Sequence, residues 1–125
     1  MFKIYEDERG KLLPIEFSKL NFIPKRIFSV YDVPKDEIRG EHAHYNTIQL
    51  IVCIKGRVIV GLDDGHKKTE IEISSGESVF VDKLVWDWQK FLTGDDHILV
   101  LCSTEYNIDD YILDKQFFYK IKNVL

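Results

Sequence analysis

The stretch RGEHAHYNTIQ, residues Arg39 to Gln49, sets two histidines one residue apart, just after Arg-Gly and just ahead of an apolar run. Two of the chain's four histidines stand there. Side chains two apart in an extended segment project to the same side, so His42 and His44 share one face of a strand. Asn46 and Thr47 are expected to break that phase. Beyond them Gln49, Ile51 and Cys53 take one face, and Leu50, Val52 and Ile54 the other. A strand apolar on both faces is covered on both, by a core on one side and a second layer or a partner on the other.

Outward from this stretch, short strands bounded by turn residues recur. KRIFSVYDV (25–33) leads to PKDE, and TIQLIVCI (47–54) ends at Lys55-Gly56. RVIVGLD (57–63) faces HKKTEIEI (66–73) across Asp64-Gly65, a two-residue hairpin signal. SSG resets the chain before ESVFV (77–81), and WDWQKFL (86–92) and HILVLCS (97–103) flank TGDD. Many short strands at this spacing predict an antiparallel sandwich or barrel. Helical pattern is confined to a turn or two around Ile15 to Asn21 and Asn107 to Asp110. There is no linker, repeat or low-complexity tract, so residues 1–125 read as one domain.

Composition agrees with this class. Of 125 residues, 45% are apolar and 30% charged, an ordinary globular balance. Aromatics at 13% favour pleated surfaces. A net charge of −4 argues against nucleic acid as partner, although a few arginines in one cleft would still attract a small anion. Cys53 and Cys102 lie inside apolar runs and read as buried free thiols. The amino terminus lacks the apolar core of a signal peptide, and no stretch approaches the ~20 apolar residues that span a bilayer. A cytoplasmic protein without a membrane partner is the expectation.

The spacing Gly40-x-His42-x-His44-x4-Gln49-x6-Gly56 resembles the first motif of the cupin superfamily, with Gln49 where a glutamate is more usual. A second motif opens at Gly76, with Asp82 at its usual proline. Counting on to the third metal-ligating histidine of that pattern reaches Trp86. Divalent transition metals need three or four nitrogen, sulfur or carboxylate ligands. Two imidazoles, a neutral amide and an indole do not supply them, so no metal and no cofactor is expected. Histidines beside arginines then point to acid/base work, because imidazole exchanges protons near neutral pH.

Over nearly its whole length the chain also resembles the nucleotide-sugar 3,4-ketoisomerases, cupin-fold proteins acting on dTDP-4-keto-6-deoxyglucose. The resemblance rests on DERGKLLPIE (7–16), IPKRIFSV (23–30), RGEHAHYNTIQ (39–49), LVWDWQKF (84–91) and CSTEYNIDDYI (102–112), five blocks in order. It implies an all-β jelly-roll barrel, a homodimer that exchanges amino-terminal strands, and a metal-free shift of a proton between C3 and C4 of the sugar through an enediol. Carried over residue by residue, it assigns His44 as base at C3 with His42 in support. Arg9, Arg39 and Arg26 suit the diphosphate or the sugar, since guanidinium binds phosphate through paired hydrogen bonds. Gln49 and Trp86 are pocket candidates, as is Tyr45, which stands where the family carries lysine. Phe28 and Ser29 replace tyrosines frequent in the family, with Tyr31 or Tyr45 as possible substitutes. A non-catalytic sugar-binding protein and a metal-dependent cupin enzyme are the competing readings.

Overall fold

The computed structural model of the chain describes residues 2–123. A small hairpin, β1 (Tyr5–Asp7) and β2 (Gly10–Leu12), comes first, and all six of its residues are exposed. The body is two antiparallel sheets. One has the order β3 (Arg26–Val30), β10 (His97–Cys102), β5 (Gln49–Lys55), β8 (Ser78–Val81). The other has the order β11 (Tyr111–Ile112), β4 (Ile38–His44), β9 (Trp86–Phe91), β6 (Arg57–Asp63), β7 (Lys68–Ser74). This is the antiparallel sandwich that the strand pattern predicts, in the jelly-roll form that the resemblance implies.

Alternation along each strand fills the space between the sheets. Ile51 and Cys53 of β5 meet Val58 and Val60 of β6, with Phe91 of β9 and Ile98 and Val100 of β10. A second cluster lies outside the five-stranded sheet, where Ala43, Trp86 and Ile112 are covered by Phe118. Phe118 belongs to α1 (Lys115–Ile121), a helix missing from the sequence reading. Asp114 caps it by accepting from the Phe117 N–H at 3.0 Å, the usual work of an Asp before a first turn. Seven residues give too little periodicity to announce a helix, and packing against Trp86 supplies what propensity does not.

The Asp64-Gly65 connection also differs from its two-residue expectation. Asp63 pairs with Lys68, which leaves a four-residue loop. The Asp64 carboxylate explains the extra length, because it accepts from the N–H groups of His66 and Lys67 at 2.8 and 2.7 Å. The short helical turns fall where expected, at Phe17–Lys19 and Ile108–Asp110.

Gly56, the last residue of the histidine motif, turns the chain from β5 into β6 with φ +81°. A Cβ there would stand 2.1 Å from Oδ1 and 2.9 Å from Cα of Asp96. Asp96 is buried, and its carboxylate accepts from Arg57 N–H and from Thr93 N–H and Oγ1–H, stitching two loops together. Gly56→Ala should therefore cost ~2–5 kcal/mol, the sum of left-handed backbone and overpacking. Denaturant midpoints of the two proteins test this, and equal midpoints would contradict it.

Candidate active site

Strand β4 would not face its histidines inward without a bulge. Arg39 pairs with Gln89 and Gly40 with Trp88, yet His42, not Glu41, stands opposite Asp87. One residue is extra. Gly40 and Glu41 take φ values of +87° and +61° to accommodate it. A one-residue slip reverses every side chain, so the bulge turns Glu41 outward and brings His42 and His44 to the inner face.

There His42 forms part of the wall of a cavity enclosing about 450 Å³ with its open mouth. Arg39 and Gln49 share that wall, as do Asp87 and Gln89 of β9 and Tyr111 of β11; Phe28 and Val100 make its apolar side. The rings of His42 and His44 meet edge to face at 5.1 Å, and Tyr111 lies 5.1 Å from the first and 4.4 Å from the second. His44 stands behind this wall and is only 3% exposed.

Asp110 fixes His44. Its Oδ2 accepts from His44 Nδ1 at 3.2 Å and from Thr47 N–H at 3.2 Å, and the Thr47 hydroxyl also bonds to it. Oδ1 accepts from the Asn46 backbone and side chain at 2.8 and 3.1 Å. Burial pushes the Asp110 carboxyl up, but the donors from Thr47, Asn46 and His44 outweigh it and hold it below the usual range. His44 is lowered, chiefly by burial and further by Arg26, against the pull of Asp110. The pair is thus a carboxylate and a neutral imidazole, with the proton on Nδ1 and a buried, unpartnered lone pair on Nε2. His42 is lowered to about 4 by burial and then by His44. Both rings are unprotonated bases at neutral pH.

The remaining sequence candidates divide. Arg39 lies at the mouth and, among the described residues, forms no ion pair. Gln49 is buried in the wall, its Nε2 donating to Cys102 Sγ at 3.4 Å. Arg26 stacks on Phe28 and Tyr106 at 4.7 and 5.0 Å. Arg9 is not brought to the site of its own protomer: it sits in the exposed hairpin, paired with Asp7 at 2.6 Å. Trp86 is also outside the cavity. It points to the opposite face of β9, stacked against Phe118, and its neighbour Asp87 turns inward instead. Tyr45 follows the end of β4 and is exposed, bound only through its N–H to Asp110 O, so it adds nothing to the wall. Tyr31 stacks on His97 at 5.0 Å, away from the histidine pair. The phenol beside both histidines is Tyr111, which sequence reasoning passed over together with Asp87. The Asp110-Tyr111-Ile112 block held one of them; counting to Trp86 hid the other by one position.

Among the described residues, no three His, Cys, Asp or Glu side chains are gathered to hold a metal ion. What the cavity offers is one neutral imidazole backed by a second, a phenol, two amides and a buried carboxyl, a set suited to moving protons on a polar ligand.

Comparison with known proteins agrees with this reading. Over 113 residues the chain is 37% identical to the TDP-4-oxo-6-deoxy-α-D-glucose-3,4-oxoisomerase of Aneurinibacillus thermoaerophilus, covering 89% of this chain and 81% of that protein. A 3,4-ketoisomerase from Helicobacter canadensis superposes with TM-score 0.89 at 31% identity, over 98% of this chain and 93% of that one. QdtA, a sugar 3,4-ketoisomerase from Thermoanaerobacterium thermosaccharolyticum solved with TDP, gives 0.88 at 31% identity, over 99% and 93%. The family described as FdtA: WxcM-like, C-terminal matches residues 1–123, and the chain belongs to that family.

Proposed function

We propose that the chain, with residues 1–125 as one domain, is an isomerase converting TDP-4-keto-6-deoxyglucose into a TDP-3-keto-6-deoxyhexose. The observation carrying this reading is the unprotonated His42–His44 pair at a cavity in a protein whose relatives are named for that reaction. The C4 ketone acidifies the proton at C3, and an imidazole already free of its own proton can accept it. Such a base typically contributes ~10²–10⁴-fold. His42 forms the wall, so in this reading it meets the sugar, and His44, anchored on Asp110, stands behind it as its partner. That reverses the order expected from the sequence. Arg39 suits the diphosphate, and Tyr111 a sugar hydroxyl.

A homodimer belongs to the same reading. A two-stranded hairpin is marginal alone, and β1–β2 is wholly exposed. Exchange between two copies would cover it and carry Arg9 toward the partner's cavity. A cytoplasmic location is consistent with two buried free cysteines, and among the described residues no helix is long and apolar enough to cross a membrane.

The decisive test is NMR of the protein with TDP-4-keto-6-deoxyglucose in D2O with chelator present. A 3-keto sugar deuterated at C4 is expected. Tight TDP binding with no exchange at C3 would instead mean a binding protein.

Variants separate the two rings. His42→Asn should lower kcat ~10²–10⁴-fold with TDP affinity nearly unchanged. A His42→Asn protein of near-normal rate, beside an inactive His44→Asn, would return the base to His44. Since His42 is held at about 4, kcat/KM should show no loss on the acid side through the ordinary histidine range and drop only near that value. A midpoint near 6.5 would refute a buried base.

Asp110→Asn should leave His44 without its carboxylate while keeping the shape of the turn. We expect kcat to fall at least ~10-fold and the melting temperature to drop as well, by the ~1.5–3 kcal/mol of a lost charge-assisted bond. An unaltered kcat would show that His44 needs no such anchor.

A further inference from the structure

Among the described residues, Asp87 is the ionisable cavity side chain whose chemistry the foregoing leaves unused. It is 1% exposed, the second residue of β9, directly opposite His42. Oδ1 accepts from Gln89 Nε2 at 2.6 Å. Oδ2 is buried with no partner at all. A carboxylate oxygen in that state is costly, whereas a carboxylic acid that can donate to a bound hydroxyl or ketone is not. The two groups facing each other across β4 and β9 are therefore a free base and a free carboxyl oxygen.

We propose that Asp87 is a second catalytic group, a carboxylic acid that exchanges protons with the two sugar oxygens while the histidine handles carbon. This rests on the isomerase reading above. The steps balance without any further reactant. The C3–H bond breaks and its proton passes to His42. The bonding pair becomes the C3=C4 double bond, and the ketone oxygen on C4 takes the Asp87 proton, giving an enediol, an imidazolium and a carboxylate. The carboxylate then removes the proton from the hydroxyl on C3. As that oxygen forms C3=O, the C3=C4 pair takes a proton at C4 from the imidazolium. Both groups return to their starting forms, and neither carbon nor oxygen chemistry passes through a bare alkoxide.

The surroundings favour the acid form before substrate binds. Burial raises the carboxyl to about 7, against the Gln89 hydrogen bond. The titratable and charged groups sharing its wall are Arg39 and His42 of β4 and Tyr111 of β11; among the described residues, β3, β5 and β10 contribute none to it. On β6, the uncharged Leu62 stands opposite Asp87. The Gln89 hydrogen bond opposes protonation, and the cation on the same wall, Arg39, stands at its exposed mouth.

Because the acid must hold its proton, activity should fall as pH rises through that value. Wild type and Asp87→Asn are compared for kcat and KM on TDP-4-keto-6-deoxyglucose from about pH 5 to about pH 9, with melting curves of both. Asp87→Asn should lose ~100-fold or more in kcat with KM within ~3-fold, and its residual rate should lack the alkaline fall. A kcat within ~3-fold of wild type, or an alkaline fall that persists in the variant, would overturn the proposal while leaving the isomerase reading intact. A wild type that makes no 3-keto sugar overturns both. Should Asp87→Asn not fold, infrared spectroscopy of the native enzyme decides. A buried carboxylic C=O band that shifts on binding TDP-sugar supports the acid, and a protein with only carboxylate bands contradicts it.

Discussion

One carboxylate holds the reactive end of this molecule together. Asp110 receives hydrogen bonds from two backbone amides, a hydroxyl, a side-chain amide and an imidazole, all from the segment that ends β4. The same short stretch of chain continues as β11, which pairs with that strand and delivers Tyr111 beside the histidines. Without the carboxylate, five donors would lose their acceptor, some of them buried. A lost bond of this charged kind is worth ~1.5–3 kcal/mol, and an unmet buried donor costs more. So the bend after His44, the ring orientation of His44 and the position of Tyr111 are one construction.

Around this anchor the cavity sorts charge by burial. His42 is lowered to about 4 and the Asp87 carboxyl raised to about 7, because burial disfavours the ion in both cases. The charged guanidinium of Arg39 stays at the mouth, where water remains. A ligand with an anionic tail and an uncharged, hydroxyl-rich head would suit such a gradient: in the reading proposed above, the tail would meet Arg39 and the head would enter the interior. The walls then do electrostatic work that no single residue does.

The fold was legible where period-2 patterns are long and turn residues are plain. Ile51 and Cys53 could be put on one face of their strand from alternation alone, and that face lines the core. His42 and His44 could be put on one face, but not on the inner one. Which way they point depends on a bulge at Gly40-Glu41, and a bulge is a count of residues across two strands that one strand cannot reveal. The same limit moved attention to Trp86 rather than Asp87. Their difference is one position in β9, which decides between a packed indole under α1 and an ionisable wall. Tyr111 was hidden for another reason: a strand of two residues has no pattern, and only pairing with β4 brings it into place.

The strand order has a further bearing on how the molecule comes into being. Of the strand pairs in the two large sheets, only β6 with β7 joins neighbours in sequence; the others link distant parts of the chain. Loop closure must precede most of the favourable contacts, so folding should be slow and highly concerted. His42, Asp87 and Tyr111 come from strands that meet only after such closures. His42 and Asp87 can face each other only once the long closure that pairs β4 with β9 is made, and Tyr111 joins them only when β11 has emerged and docked on β4.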